Sequence, residues 1–385
     1  MSQSIFNHVK ISGISVVVPE KEINIYDEAE YYDNNIKKID RMRKMVGFWK
    51  RRVVDTGVTP SDLAIQAAET LIADMNINKS EIDAVVFVRQ RPDFRQPAVS
   101  YFIHNQLGLP NTTAVFDVTQ GCPGWVYGLW ISHSLIESQA CKKVLLLVAD
   151  TPSAGMDLSN RISAPVFGDG GVATLLEYSS KEQHAYFDIA TESKDYEAIM
   201  TPASGDRMGL SFAKNTPEGY NDGLLKWIKT PSGYETRLIY GYMDGLAVFN
   251  FTMNEVPKSI SRIMDLANIS EADVPYLILH QANKQIVQTV AQASGFSLEK
   301  APYIAFENYG NNTMCSIPTS INCLKNELKG TNKLLCSSFG NGLAVATCVI
   351  TLDNAYLTGV KDYKKHPNHP TRQQLIDYWT KKIQG

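Results

Sequence analysis

The sequence predicts an α/β fold built from two similar halves, and three observations predict it. Short β-branched runs alternate with stretches of helical apolar spacing, the same rhythm returns after about residue 240, and 385 residues suffice for two domains or one large layered unit. In the first half, Ala84–Arg89, Ala114–Val118, Val144–Ala149 and Val172–Glu177 read as strands, with helices near 60–75, 97–107 and 123–139. A segment rich in Pro, Gly, Thr and Asn follows at about 200–238 and reads as a loop or lid. The second half predicts a helix near 246–266, a strand at Tyr276–Leu279, a helix at 283–294, a strand at Tyr303–Phe306, a helix near 315–329 and strands at 333–338 and 344–352. Lys361–His369 is basic, and Arg372–Ile383 then carries Leu375, Ile376, Trp379 and Ile383 at helical spacing. The organisation expected is therefore an N-terminal half over 1–185, a lid or insertion over 186–240, a C-terminal half over 241–352 and a C-terminal extension with an amphipathic helix over 353–385.

Composition narrows the function classes. The chain is 44% hydrophobic and 20% charged, values of an ordinary globular protein, with a formal net charge of -3 and scattered basic residues. That charge offers no footprint for nucleic acid or an anionic membrane, so small molecules or proteins are the expected partners. The first ten residues lack a charged stretch followed by an apolar one, and the run Val144–Ala149 is far too short to cross lipid, which makes the cytoplasm the expected location. Six cysteines (122, 141, 315, 323, 336 and 348) show neither Cys-x-x-Cys spacing nor a Cys/His cluster. Reduced thiols are expected, and no metal.

One of those thiols sits where chemistry is possible. Asp117–Gly128 places Cys122 between a strand ending at Val118 and an apolar helix beginning at Pro123, so its sulfur is expected over unpaired helix N–H groups that favour the thiolate. The inert alternative is a buried cysteine packed as a small hydrophobe. His280 follows the strand Tyr276–Leu279, and Asn311 follows the expected strand at Tyr303–Phe306 in the run Gly310-Asn-Asn-Thr. Alone, each has a plain structural reading as a satisfied side chain or a turn residue. Together, Cys, His and Asn at strand carboxyl ends converge on one crevice, where a thiolate takes an acyl group and two fixed donors stabilise charge on a second thioester. Phe339-Gly340-Asn341-Gly342 adds a glycine-flanked backbone able to approach a ligand, or simply a hairpin turn.

Asp117–Gly128 with Cys122, His280-Gln-Ala-Asn283, Gly310–Pro318 and Phe339–Gly342 resemble, in order, motifs of β-ketoacyl-ACP synthase III in the thiolase superfamily. Val166–Gly171, Pro97–Leu109 and Gly47–Arg52 extend the likeness over about residues 8–352. The resemblance implies a five-layered α-β-α-β-α fold, usually dimeric, with a pantetheine tunnel and no bound cofactor. It implies that Cys122 is acylated, that His280 and Asn311 hold the extender thioester's carbonyl, and that the backbone N–H groups of Cys122 and Asn341 form the oxyanion hole. It further assigns Arg161, Met243, Phe249, Phe339, Gly340, Gly342 and Asn283 to substrate binding. Arg41 stands where the family commonly has a Trp stacking on the adenine of CoA, and Met45 where it commonly has an Arg. Arg89, Arg91 and Arg95 crowd the segment that in the family nears the partner's acyl pocket; they meet an anionic acceptor or are solvated loop charges.

The activity this implies is acyl transfer with decarboxylative Claisen condensation onto a malonyl-type thioester. Its partners would be an acyl-CoA or acyl-ACP donor, an acyl carrier protein and a second copy of the chain, in a specialised branch of fatty-acid or natural-product synthesis. Three other readings stay open: transfer from the cysteine to an alcohol or amine without decarboxylation, a non-catalytic partner subunit, and a cysteine hydrolase.

Overall fold

The computed structural model describes residues 2–156, 160, 164–230, 235–366 and 369–385. Two mixed sheets organise it. Six strands make the first, in the order Tyr356–Tyr363, Val9–Pro19, Gly170–Tyr178, Lys143–Asp150, Ala84–Arg89, Ala114–Thr119. Five make the second, in the order Ser2–Phe6, Ala185–Thr191, Ala344–Asp353, Thr331–Gly340, Tyr276–Leu279.

Near-continuous apolar strands require both faces of each sheet to be covered, and they are. Alternate residues of Ala84–Arg89 feed different cores. Val86 and Val88 join Trp125, Leu129, Ile278 and Cys336 between the sheets, while Val85 and Phe87 pack beneath the outer helices Pro60–Asp74 and Val99–Leu107. Thr331–Gly340 divides in the same way: Leu334 and Cys336 point inward, and Leu335 and Phe339 meet Val256, Ile260, Val287 and Val290 of the outer helices Gly245–Ala267 and Lys284–Ala293. Helices Gly124–Glu137 and Ser316–Cys323 fill the central layer through Trp125, Val126, Leu129, Ile317 and Ile321. The result is the helix–sheet–helix–sheet–helix stack of the thiolase fold. Each such fully buried aliphatic or aromatic side chain contributes about 1.5–3 kcal/mol, which makes the central helices rigid mounts for the loops at their ends.

Sheet membership departs from the order of the sequence halves. Ser2–Phe6 and Ala185–Thr191 complete the second sheet, and Tyr356–Tyr363 returns to pair in parallel with Val9–Pro19 of the first. The expected lid from residue 186 thus begins with a sheet strand whose Asp188 interrupts the apolar pattern. That carboxylate is buried and takes Arg262 Nη2 at 2.7 Å. Tyr356–Tyr363 is too polar for strand periodicity to stand out.

Tyr303–Phe306 is not a strand. The second sheet ends at Tyr276–Leu279, and Ile304–Tyr309 forms a short helix whose Phe306 packs edge-on against Phe48 at 6.2 Å. A four-residue apolar run does not distinguish the two periods. The helix expected near 315–329 is confined to Ser316–Cys323 after a tight turn at Thr313–Cys315. The terminal helix, Arg372–Gln384, exposes Leu375, Ile376, Trp379 and Ile383. No helix among the described residues is long and apolar enough to cross a membrane.

Candidate active site

Cys122 occupies the turn between strand Ala114–Thr119 and helix Gly124–Glu137, with Pro123 as the cap rather than the first helical residue. The Gly124 N–H donates to the Gly121 carbonyl at 2.8 Å and the Tyr127 N–H to that of Pro123 at 3.1 Å, which fixes the turn. The residue keeps partial contact with solvent. Its thiol is nevertheless not the activated thiolate expected at a helix terminus. Burial pushes its pKa up to about 11, and the backbone N–H of Asn341 opposes this only in part. The charge of Asp150 adds to the rise, and the N–H of Cys122 itself adds to the opposition. A helix end contributes about 0.3–1 kcal/mol, whereas a rise from 9.0 to about 11 corresponds to about 3 kcal/mol, so desolvation wins.

The 337–343 segment closes over this sulfur. Ser338 Oγ donates to the Cys122 carbonyl at 2.7 Å. Gly340 has φ +141°, and a Cβ there would stand 3.0 Å from Cys122 Sγ, so only glycine admits this approach. The expected hairpin is real, since Gly340 ends one strand and Ala344 begins the next, and its turn delivers the Asn341 N–H to the sulfur. Asn341 Nδ2 reaches the Ile199 carbonyl at 3.5 Å, and Ile199 pairs with Met243 across two short strands.

His280 continues the strand Tyr276–Leu279, its N–H donating to the Ser337 carbonyl at 2.9 Å. The ring stands edge-on to Phe339 at 5.5 Å, and Nδ1 lies 2.8 Å from Ser316 Oγ. Burial lowers its pKa to about 4, with a Thr313 backbone contact in opposition, so the imidazole is neutral near pH 7. A neutral imidazole donates a hydrogen bond without bringing a charge.

Asn311 follows the short helix Ile304–Tyr309 and is held on three sides. Its N–H donates to the Val166 carbonyl at 2.7 Å, its carbonyl accepts the Gly168 N–H at 3.1 Å, and its Oδ1 accepts the Thr313 N–H at 3.0 Å. With the amide oxygen taken, the NH2 group is the part left for a ligand. The Val166–Gly171 motif thus clamps the asparagine loop: a Cβ on Gly168 would lie 2.0 Å from the Tyr309 carbonyl oxygen. Asp169 of the same motif accepts the Val54 N–H at 2.7 Å and the Ser153 N–H at 3.0 Å. Cys122, His280 and Asn311 are therefore linked through Gly340–Phe339, Ser316 and Thr313.

The remaining candidates divide. Phe339 and Gly340 belong to this cluster, and Gly342 lies in its turn with φ +141°. Met243 and Phe249 are exposed at the start of the Gly245–Ala267 region. Asn283 spends its side-chain oxygen on the Ile286 N–H at 2.8 Å, capping helix Lys284–Ala293. Arg161 lies outside the described residues. Arg41 and Met45 stand exposed one turn apart on helix Ile36–Val46. Arg89 pairs with buried Asp117 at 3.1 Å, whereas Arg95 pairs with Asp206 at 3.0 Å with both side chains largely exposed, as a solvated loop charge is expected to be. Ser316, Thr313 and Asp150 escaped sequence reading because single hydroxyls and a strand-end aspartate carry no periodic signal.

The model of the family 3-oxoacyl-(acyl-carrier-protein) synthase III matches residues 116–194, and its C-terminal counterpart matches 264–352. A putative 3-oxoacyl-(acyl-carrier-protein) synthase 3 of Campylobacter jejuni is 34% identical over 361 residues, covering 94% of this chain and 98% of its own. The chain belongs to the synthase III family. A β-ketoacyl-(acyl-carrier-protein) synthase III of Streptococcus pneumoniae is 30% identical over 347 residues, 89% of this chain and 99% of its own. Among solved structures, a 3-oxoacyl-(acyl-carrier protein) synthase of Burkholderia xenovorans LB400 superposes with a TM-score of 0.83 at 28% identity, covering 94% of this chain and 99% of its own. The protein is thus a synthase III-like condensing enzyme, an acyltransferase. The first matched segment carries Cys122, and the second carries His280, Asn311 and Asn341.

Proposed function

We propose that Cys122 takes an acyl group from a CoA or carrier-protein thioester, its thiol proton leaving with the departing thiol. A malonyl-type thioester then loses CO2, and its carbanion attacks the acyl-enzyme to release a 3-oxoacyl product two carbons longer. Supporting this reading, the Gly340–Asn341 backbone lies against the sulfur, a Cβ on Gly340 standing only 3.0 Å from Sγ, and the backbone N–H groups of Cys122 and Asn341 both favour the thiolate. A tetrahedral oxyanion formed at that sulfur would lie within reach of the same two donors. Neutral His280 and the NH2 of Asn311 provide two more, suited to the enolate oxygen that develops as CO2 leaves.

The substrates follow the family: an acyl-CoA donor and a malonyl thioester of acyl carrier protein. Exposed Arg41 and Met45 give the CoA entrance a different chemistry from the aromatic platform common in the family. The excursion between Thr191 and Gly245 and the terminal helix support a specialised branch. Ala114–Thr119 stands last in its sheet, which supports pairing with a second copy. The test is to incubate the enzyme with acyl thioesters and malonyl carrier protein and to measure CO2 and product length. CO2 with a product two carbons longer supports condensation; an acyl-enzyme that releases no CO2 supports transfer to another nucleophile.

A further inference from the structure

A neutral imidazole exists as two tautomers, in which one nitrogen donates a hydrogen bond and the other accepts. His280 is buried and neutral near pH 7, so what it can do depends on which nitrogen holds the single ring proton. Ser316 Oγ, 2.8 Å from Nδ1, is the one side chain that hydrogen-bonds the ring among the described residues. The Thr313 backbone also acts on the ring, favouring its protonated form. Ser316 begins the helix Ser316–Cys323 and is 1% exposed. Its neighbours Thr319, Ser320 and Asn322 spend side-chain donors on the carbonyls four residues back, those of Cys315, Ser316 and Pro318, at 2.7, 2.9 and 3.0 Å. Ser316 departs from that pattern: among the described residues its hydroxyl has His280 Nδ1 as its one partner. A proton on Nδ1 would point at Oγ and leave the serine O–H buried with no acceptor, which is costly. With Nδ1 bare, the O–H donates to its lone pair and both groups are satisfied.

We infer that Ser316 is a positioning residue whose hydroxyl donates to His280 Nδ1 and thereby fixes the ring proton on Nε2. The kinetic consequence rests on the condensing reading, in which His280 gives a hydrogen bond to the oxygen of the second thioester. A protonated Nε2 can give that bond; a bare one would present a lone pair to the developing oxyanion. Ser316 acts through the imidazole rather than on the thioester itself.

The test reads the nitrogens directly, by heteronuclear NMR of enzyme labelled at its histidine nitrogens, with the His280 signals assigned by their absence from His280→Ala. In the wild type near pH 7, Nε2 should be a protonated, pyrrole-type nitrogen and Nδ1 a bare, hydrogen-bonded pyridine-type one. Ser316→Ala should shift the Nδ1 signal toward that of a nitrogen without a hydrogen bond or mix the two tautomers, and Ser316→Thr, which keeps the hydroxyl, should restore the wild-type pattern. Condensation, followed by CO2 release, should lose at least about tenfold in kcat in Ser316→Ala with KM within about threefold, and return to within about threefold of wild type in Ser316→Thr. A wild-type Nδ1 that carries the proton, or His280 signals unchanged in Ser316→Ala, would overturn the inference. So would condensation by Ser316→Ala at the wild-type rate, or a Ser316→Thr enzyme as impaired as Ser316→Ala. A wild-type enzyme that releases no CO2 defeats the condensing reading instead, and the nitrogen signals then decide the role of Ser316 on their own.

Discussion

Ser338 Oγ donates to the backbone carbonyl of Cys122 at 2.7 Å, joining the Cys122 turn to a strand 216 residues later in the chain. The bond ties the first sheet's Cys122 turn to the second sheet's hairpin, the element that brings Gly340 and Asn341 onto the sulfur. On the proposed reading, loading would use the backbone at the sulfur and condensation the His280 and Asn311 side chains.

His280→Ala and Asn311→Ala should therefore still acquire an acyl adduct while losing about 10²–10³-fold in condensation, the usual cost of removing one donor to a developing oxyanion. Paired measurements of adduct mass and CO2 release check this. Loss of loading in both variants would show that the two half-reactions are not divided in this way.

The free thiol should be sluggish near neutrality. The thiolate is the reactive form, and with its pKa pushed up from 9.0 to about 11 its fraction at pH 7 is about 100-fold below that of an unperturbed thiol. Iodoacetamide labelling of Cys122 should accelerate about tenfold per pH unit from 7 and level off near 11. A plateau below pH 8 would show that the helix end, not burial, governs the sulfur.

Gly340→Ala should fold and fail to load normally. The added methyl would stand 3.0 Å from Sγ and 3.2 Å from Cβ of Cys122, on a backbone of φ +141° that L residues rarely adopt. A stability loss of about 1–3 kcal/mol, measured by denaturant unfolding, and at least a tenfold slower adduct formation are expected. Loading at the wild-type rate would remove the close approach from the mechanism.

Much of this was legible in the residues. Cys122 and His280 lie where strong strand periodicity ends, so their loops could be placed from the sequence. Asn311 follows a helix, Ile304–Tyr309, rather than the expected strand, because the short apolar run Tyr303–Phe306 fits either period. The raised pKa of the thiol is not legible in sequence: the helix end is local, whereas Gly340, which packs against the sulfur, and Asp150, whose charge adds to the rise, are distant in the chain. Strand Tyr356–Tyr363 was hidden for a related reason, its pairing with Val9–Pro19 being set by tertiary contacts rather than by its own pattern.

The most direct measurement is intact-protein mass spectrometry after incubation with a panel of acyl-CoA and acyl carrier-protein thioesters. The account predicts one acyl adduct, mapped to the peptide containing Cys122 and absent from Cys122→Ala. No adduct with any thioester, or an adduct that survives in Cys122→Ala, would contradict it.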